Sequence, residues 1–302
     1  MKLFLEGLKN FFLRSYFPAV NIQITSKYIS GMERELKTGK IKNNFYRKIE
    51  EGIINEDWKD RNILDEKKLK DVLSIELNKF KKEPCISLLI PESSSKVFIF
   101  SSNSFPREKR EAIEFVKWKI KRSVPIDKNL RISYDIFKNG NGIYNILALA
   151  INENVISEWE IFFNSMGKKI SYVNIPTFTL YNCLKNERNL LLVNRDLSYT
   201  SFFAMANNKP IIYRIKNEPL IDEGFSSEIT STIKWIEERE NKVMESIWIR
   251  DMAGKNNIKI QQENYKDKIK YFKNISESDF EKIPNDLSEI LRPLMGIPLW
   301  RE

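Results

Sequence analysis

Two adjoining stretches, 104–137 and 146–184, constrain the fold most, because each changes its hydrophobic period in a fixed order. Pro106 suits the opening turn of a helix whose apolar positions Ala112, Ile113, Val116 and Ile120 recur at helical spacing, and Ser123-Val-Pro-Ile-Asp127 ends it. Ile132-Ser-Tyr-Asp-Ile-Phe137 then alternates as a half-buried strand does. Asn139-Gly-Asn-Gly142 supplies turn residues, and Ile146-Leu-Ala-Leu-Ala-Ile151 reads as a more buried strand. Val155, Trp159, Phe162 and Phe163 return to helical spacing. Gly167 stands where a C-cap is wanted, Ile170-Ser-Tyr-Val173 is a strand again, and Pro176 opens another helix. This alternation predicts an α/β fold.

Histidine is absent from the 302 residues, which excludes Ser-His-Asp and Cys-His machinery and any histidine-ligated metal. Cys85 and Cys183 are too few for a thiolate zinc site and read as reduced structural thiols. The carboxylates lie in charged runs such as 65–68 and 237–240, the composition of solvated faces. No catalytic residue and no metal ligand is therefore expected. No run approaches the ~20 apolar residues of a spanning helix. Residues 1–17 mix Glu6, Lys9, Asn10 and Arg14 with Leu5, Leu8, Phe12 and Leu13, which denies them a signal-peptide core and predicts an amphipathic helix. The net charge of +9 asks for an anionic partner. An anionic membrane surface or an acidic protein accounts for it, and nucleic acid is not expected.

Trp118-Lys-Ile-Lys-Arg122, the Val124-Pro-Ile-Asp127 exit, the Tyr134-Asp135 strand and the run from Gly167 through Pro176 to Leu184 resemble the inserted subdomain of the PilM family, the actin-like cytoplasmic proteins of type IV pilus assembly. The cytoplasmic part of the type II secretion protein GspL is the next most similar, sharing the short path from Ile211-Ile-Tyr-Arg-Ile215 to the strand at 243–249. The resemblance implies an actin-like (ribonuclease H-like) fold of two lobes, with an α+β subdomain inserted in the first and the second shortened. Its divisions fall at 1–17 (amphipathic helix), 18–85 with 175–188 (first lobe), 86–174 (insertion) and 189–302 (second lobe, with the final helix free to return to the first).

Such folds hold magnesium and ATP with two hairpins, each carrying an Asp for the metal and a Gly for close phosphate approach, and with a glycine pair beside the adenine. By resemblance these fall on Asn21 and Gln23, on Asn194 and Asp196, and on Arg250-Asp251. A neutral amide loses the charge a divalent cation pairs with, and Asp196 repels a triphosphate. What is left is a vestige: Asn21, Thr25, Ser26, Asn194, Ser198 and Thr200. The resemblance then implies a non-catalytic scaffold, without a cofactor, at the cytoplasmic face of the inner membrane. It would hold the N-terminal tail of a PilN-like membrane protein between the first lobe and the insertion, with Phe98, Phe100, Trp118 and Arg122 lining the groove and the assembly ATPase as a further partner. The alternatives are an actin-like protein whose drifted site still binds ATP and magnesium, and a GspL-like secretion component.

Overall fold

A computed structural model describes residues 17–80, 83–123, 129–138, 142–184, 187, 189–207, 209–253, 263–272 and 285–298. Two five-stranded sheets of the same design organise it. The first runs β3 (Ile41–Lys48), β2 (Tyr28–Arg34), β1 (Val20–Ile24), β4 (Cys85–Leu89), β8 (Lys169–Asn174). The second runs β11 (Lys209–Lys216), β10 (Thr200–Ala206), β9 (Leu190–Arg195), β12 (Ser246–Asp251), β13 (Ile269–Tyr271). In each, three antiparallel strands are followed by two parallel ones, so β1 corresponds to β9 and β4 to β12. This repeated sheet is the two-lobed actin-like architecture.

Helical packing follows from the sequence periods. In the first lobe α1 (Glu66–Leu77) is capped by the Asp65 carboxylate, which accepts from Lys68 N at 3.0 Å, and buries Leu69, Leu73 and Leu77. On the same core, α3 (Glu153–Ser165) places Trp159, Phe162 and Phe163 against Val20, Ile22, Ile86 and Leu88. Gly167, at φ 72°, ends it: Lys168 N reaches Phe163 O and Gly167 N reaches Asn164 O, the pairing that closes a helix through a left-handed residue. In the second lobe α5 (Asp222–Glu240) lays Phe225, Ile229, Ile233 and Ile236 on the sheet. The last helix, α6 (Asn285–Met295), packs on the first lobe, where Leu291, Leu294 and Ile297 meet Met32 and Leu89. Arg34 donates to the carbonyls of Met295 and Ile297, and a Cβ on Gly296 would stand 1.6 Å from the Thr179 carbonyl oxygen.

The third sheet, β5 (Ser95–Ser102), β7 (Tyr144–Asn152), β6 (Leu130–Lys138), is the insertion. Its strands alternate cleanly. Ile146, Ala148 and Ala150 face α2 (Lys109–Ser123), which covers them with Val116 and Ile120. Leu147 turns the other way and joins Val97, Ile99 and Phe137 in a cluster with α4 (Pro176–Asn182) and with Leu190, Leu192, Phe203 and Met205 of the second lobe. The insertion thus rests on both lobes.

The structured insertion is narrower than 86–174. Strands β4 and β8 are hydrogen-bonded into the first-lobe sheet and α3 fills its core, because parallel strands flanking β1 must be covered on both faces. Helix α2 also starts at Lys109, not at Pro106; Phe105 is held against Phe115, Tyr134 and Tyr144, and a residue before proline is kept extended. The expected helix over 1–17, the 124–127 exit and most of the 139–142 turn lie outside the described residues. Among the described residues no helix is long and apolar enough to cross a membrane.

The root of the insertion is a buried carboxylate. Glu92, in the turn between β4 and β5, accepts from Thr177 N at 2.7 Å and from the Tyr213 hydroxyl, tying the insertion to α4 and to β11. Burial raises its pKa to about 7 against these two stabilising bonds. A carboxyl with a raised native pKa stabilises the fold while protonated, and this contribution fades as pH rises from about 4.5 through 7. Relative to Glu92→Gln, the wild-type protein should therefore lose about 3 kcal/mol of unfolding free energy across that window. Urea denaturation of both proteins at several pH values measures it, and a constant difference would contradict it.

Candidate functional site

The two corresponding hairpins face each other between the lobes, and each closes with the same backbone hydrogen bond. Thr25 N donates to Tyr28 O at 2.9 Å in the first, and Asp196 N donates to Tyr199 O at 2.9 Å in the second. Two residues before each turn an amide side chain donates to the tyrosine that closes it: Gln23 Nε2 to Tyr28 Oη at 2.8 Å, Asn194 Nδ2 to Tyr199 Oη at 2.9 Å. This internal repeat corrects the first-hairpin register. Asn194 and Asp196 correspond to Gln23 and Thr25, not to Asn21 and Gln23, because the turn hydrogen bond fixes the count from Tyr28. Asn21 lies two residues further from the turn on the same face of β1.

Arg250, at the end of β12, enters the space between the hairpins. Its side chain is fully buried and donates to Asp196 Oδ2 at 2.7 Å, to Asn194 Oδ1 at 2.7 Å, to the Glu289 carbonyl at 2.7 Å and to Tyr28 Oη at 3.2 Å. Tyr28 Oη in turn donates to Asp196 Oδ2 at 2.7 Å. Asp196, Asn194, Tyr28, Tyr199 and Gln23 are all buried as well. The cluster joins β2 of one lobe to β9 and β12 of the other, and the guanidinium spends its donors within it.

The electrostatics keep this arrangement charged and fixed. Burial opposes the Arg250 cation, but the oxygens of Tyr28 and Asp196 more than offset it and hold its pKa above the ordinary value. Burial and the Asp196 charge push the Tyr28 and Tyr199 hydroxyls well above the usual phenol range. None of the three changes protonation near neutral pH. Asp251, the other residue at the adenine-side position, is held by Arg195, which also pairs with Asp222 at 2.8 Å.

Of the remaining sequence-predicted site residues, Thr25 serves its own turn and Ser26 and Thr200 bond to distant segments. Thr25 Oγ1 accepts from Tyr28 N at 3.0 Å, and Ser26 N donates to the Glu56 carboxylate. Thr200 Oγ1 accepts from Leu220 N at 3.0 Å. Asn21 Oδ1, Gln23 Oε1, Ser30 Oγ, Ser87 Oγ and Ser198 Oγ are buried without a partner among the described residues. No group of three carboxylate or thiol side chains is placed to hold a metal among the described residues.

Phe98, Phe100, Trp118 and Arg122 do not converge on one groove. Phe98 and Phe100 pack under α2 with Val116, Ile120 and Ile146, whereas Trp118 stays 48% exposed on the outer side, with Arg122 stacked 4.9 Å from its ring centre. A different furrow opens at the meeting of the lobes and the insertion. It encloses about 410 Å³ between the 56–59 loop, the root of β5 at Ser95, Lys96 and Val97, and β11 at Tyr213, Arg214 and Ile215. Both flanking strands, β5 and β11, are sheet edges.

Sequence reasoning missed Tyr28, Tyr199 and Glu92. For the tyrosines a signal was there: an amide five residues before a tyrosine occurs at Gln23/Tyr28 and again at Asn194/Tyr199. Arg250→Met should cost roughly 3–5 kcal/mol, because it leaves the Asp196 carboxylate buried without its ion pair. Adding Asp196→Asn should restore part of that. Chemical denaturation of the single and double variants checks both, and a single-variant loss below about 1 kcal/mol would show that the pair is not held as described.

No family model matches the chain, and no curated protein matches it in sequence. Solved structures do. A PilM-PilN type IV pilus biogenesis complex aligns over 94% of this chain and 100% of the other at 11% identity, with a TM-score of 0.71. The cytoplasmic domain of EpsL, an inner-membrane component of the Vibrio cholerae type II secretion system, aligns over 94% and 97% at 8% identity, with a TM-score of 0.56. A Bacteroides thetaiotaomicron protein of actin-like ATPase fold and unknown function aligns over 94% and 96% at 8% identity and 0.55. The likeness is one of fold: the chain has an actin-like fold, shared with these solved structures.

Proposed function

We propose that this chain is a non-catalytic, actin-like scaffold of a pilus- or secretion-type assembly machine, stationed at the cytoplasmic face of the inner membrane, where it holds the N-terminal tail of a PilN-like membrane protein. The observation that carries the reading is the Arg250–Asp196–Tyr28 cluster in the interlobe cleft. Nucleotide and magnesium would need that space. To admit them the protein would have to break a fully desolvated ion pair and strand both charges, and Asp196 would then repel the incoming phosphates. The amide at Asn194 and the hydroxyl at Thr25 supply neither a metal-binding carboxylate nor the open backbone that phosphate approach requires.

A scaffold needs a docking place in exchange for the lost chemistry, and the furrow between β5 and β11 has the form an extended tail requires. Two sheet edges offer main-chain hydrogen bonds, while Val97 and Ile215 provide apolar contacts and Lys96 provides charge. The fold likeness to a PilM-PilN complex supports a partner of this kind.

Calorimetry with Mg-ATP at millimolar nucleotide should give no binding heat; a micromolar signal lost on chelating the metal would overturn the non-catalytic reading. A peptide from the cytoplasmic N-terminus of a PilN-like bitopic membrane protein should bind. Ile215→Asp and Lys96→Glu should each weaken it by about tenfold, with the thermal midpoint little changed. Full affinity in both variants would remove the furrow as the docking place.

A further inference from the structure

The outer face of α2 combines an exposed tryptophan with a cluster of basic side chains. Ala112, Val116 and Ile120 are spent on the insertion sheet, so the opposite side of the helix points away from the body of the protein. Its acidic residues lie in the first half, and Glu114 there is occupied by Lys117 at 2.8 Å. The last two turns carry only basic charge. Lys119, Lys121 and Arg122 form no ion pair among the described residues, and between them Trp118 is 48% exposed. The Lys119 ammonium sits 5.5 Å and the Arg122 guanidinium 4.9 Å from the centre of its ring, while Phe115 lies 6.1 Å to one side. Cation–π contacts of this kind hold the charges around the indole instead of letting them splay into solvent.

We infer that this face of α2 is a docking surface for an anionic lipid bilayer. Three features favour lipid over an acidic peptide or a nucleic acid. The surface is a helix ridge, whereas an extended peptide seeks a groove or a strand edge, which this protein offers elsewhere. A large indole flanked by long cationic side chains matches the layered polarity of a bilayer interface, where tryptophan settles at headgroup level and lysine and arginine reach the phosphates. Only one aromatic ring is exposed there, too few to stack successive bases. The excess of 50 basic over 41 acidic residues adds long-range attraction to the same target. The inference does not depend on the tail-binding reading, because the furrow and the α2 ridge share no residue.

Co-sedimentation with phosphatidylcholine vesicles, with and without phosphatidylglycerol, tests it on the full chain. The wild-type protein should bind the phosphatidylglycerol vesicles, release as salt is raised, and ignore pure phosphatidylcholine. Lys119→Glu/Lys121→Glu/Arg122→Glu should lower partitioning by about 100-fold, and Trp118→Ala by roughly fivefold. Trp118→Phe should fall between Trp118→Ala and the wild type. All four residues project outward, so thermal midpoints should stay near wild type, and affinity for the tail peptide should not move. Equal binding to both vesicle types would overturn the inference. So would unchanged partitioning in the charge-reversed variant, or retention of an acidic peptide or duplex DNA by this face with no retention of vesicles.

Discussion

The ion pair between Arg250 and Asp196 sets the terms for everything around it. Both charges are out of water, and desolvation of that kind offsets most or all of the Coulombic gain. Its value lies in geometry. Both partners belong to the second lobe, and the pair is tied to the first through the Tyr28 hydroxyl, which bonds to Asp196 and Arg250, and through the Glu289 carbonyl of α6, which accepts from Arg250. Lobe orientation is therefore held by the Tyr28 and Glu289 bonds that the pair anchors, even where the pair adds little to net stability.

The insertion reinforces the same constraint from the opposite side. Leu147, Val97 and Ile99 on its inner face pack with Phe203, Met205 and Leu192 of the second lobe, while Glu92 at its root is bonded to α4 and β11. An actin-like protein that opens and closes on nucleotide needs its lobes joined by little more than hinges. Here a polar lock in the cleft and an apolar clamp under the insertion act together. The docking places proposed above, the β5–β11 furrow and the ridge of α2, both lie outside this contact.

Much of this architecture was legible because its elements announce their own periods. The α2 and α3 stripes, the Gly167 cap and the Pro176 start are local events, and local chemistry decides them. The limits of the insertion were not legible, since β4 and β8 belong to the first lobe through pairing partners far away in sequence, and an apolar run does not state its neighbour. The site was half legible. Loss of the acidic and glycine positions could be read at Asn194, Asp196 and Arg250, but not that the replacements bond to one another. The first hairpin was misregistered by two residues because β1 has period two, and a slip of two keeps every side chain on the same face. Only the turn, closed by Tyr28, breaks that degeneracy. Phe98 and Phe100 show the same weakness: alternation gives the face of a strand but not whether a helix covers it.

The repeated substitution in the two hairpins bears on how such a cleft stays closed. Each lobe carries an amide two residues ahead of the turn and a tyrosine at its end, and the two tyrosines lie on either side of one guanidinium-carboxylate pair. Reopening the cleft would require more than one change at once. Replacing Arg250 by glycine alone strands Asp196; replacing Asp196 alone strands Arg250; restoring small residues at either tyrosine alone leaves the amide behind it without its acceptor and a void beside a buried charge. Every single step toward a nucleotide site passes through a state with an unpaired buried polar group. Under the proposed scaffold reading, that barrier, more than the absence of any one ligand residue, keeps the cleft filled.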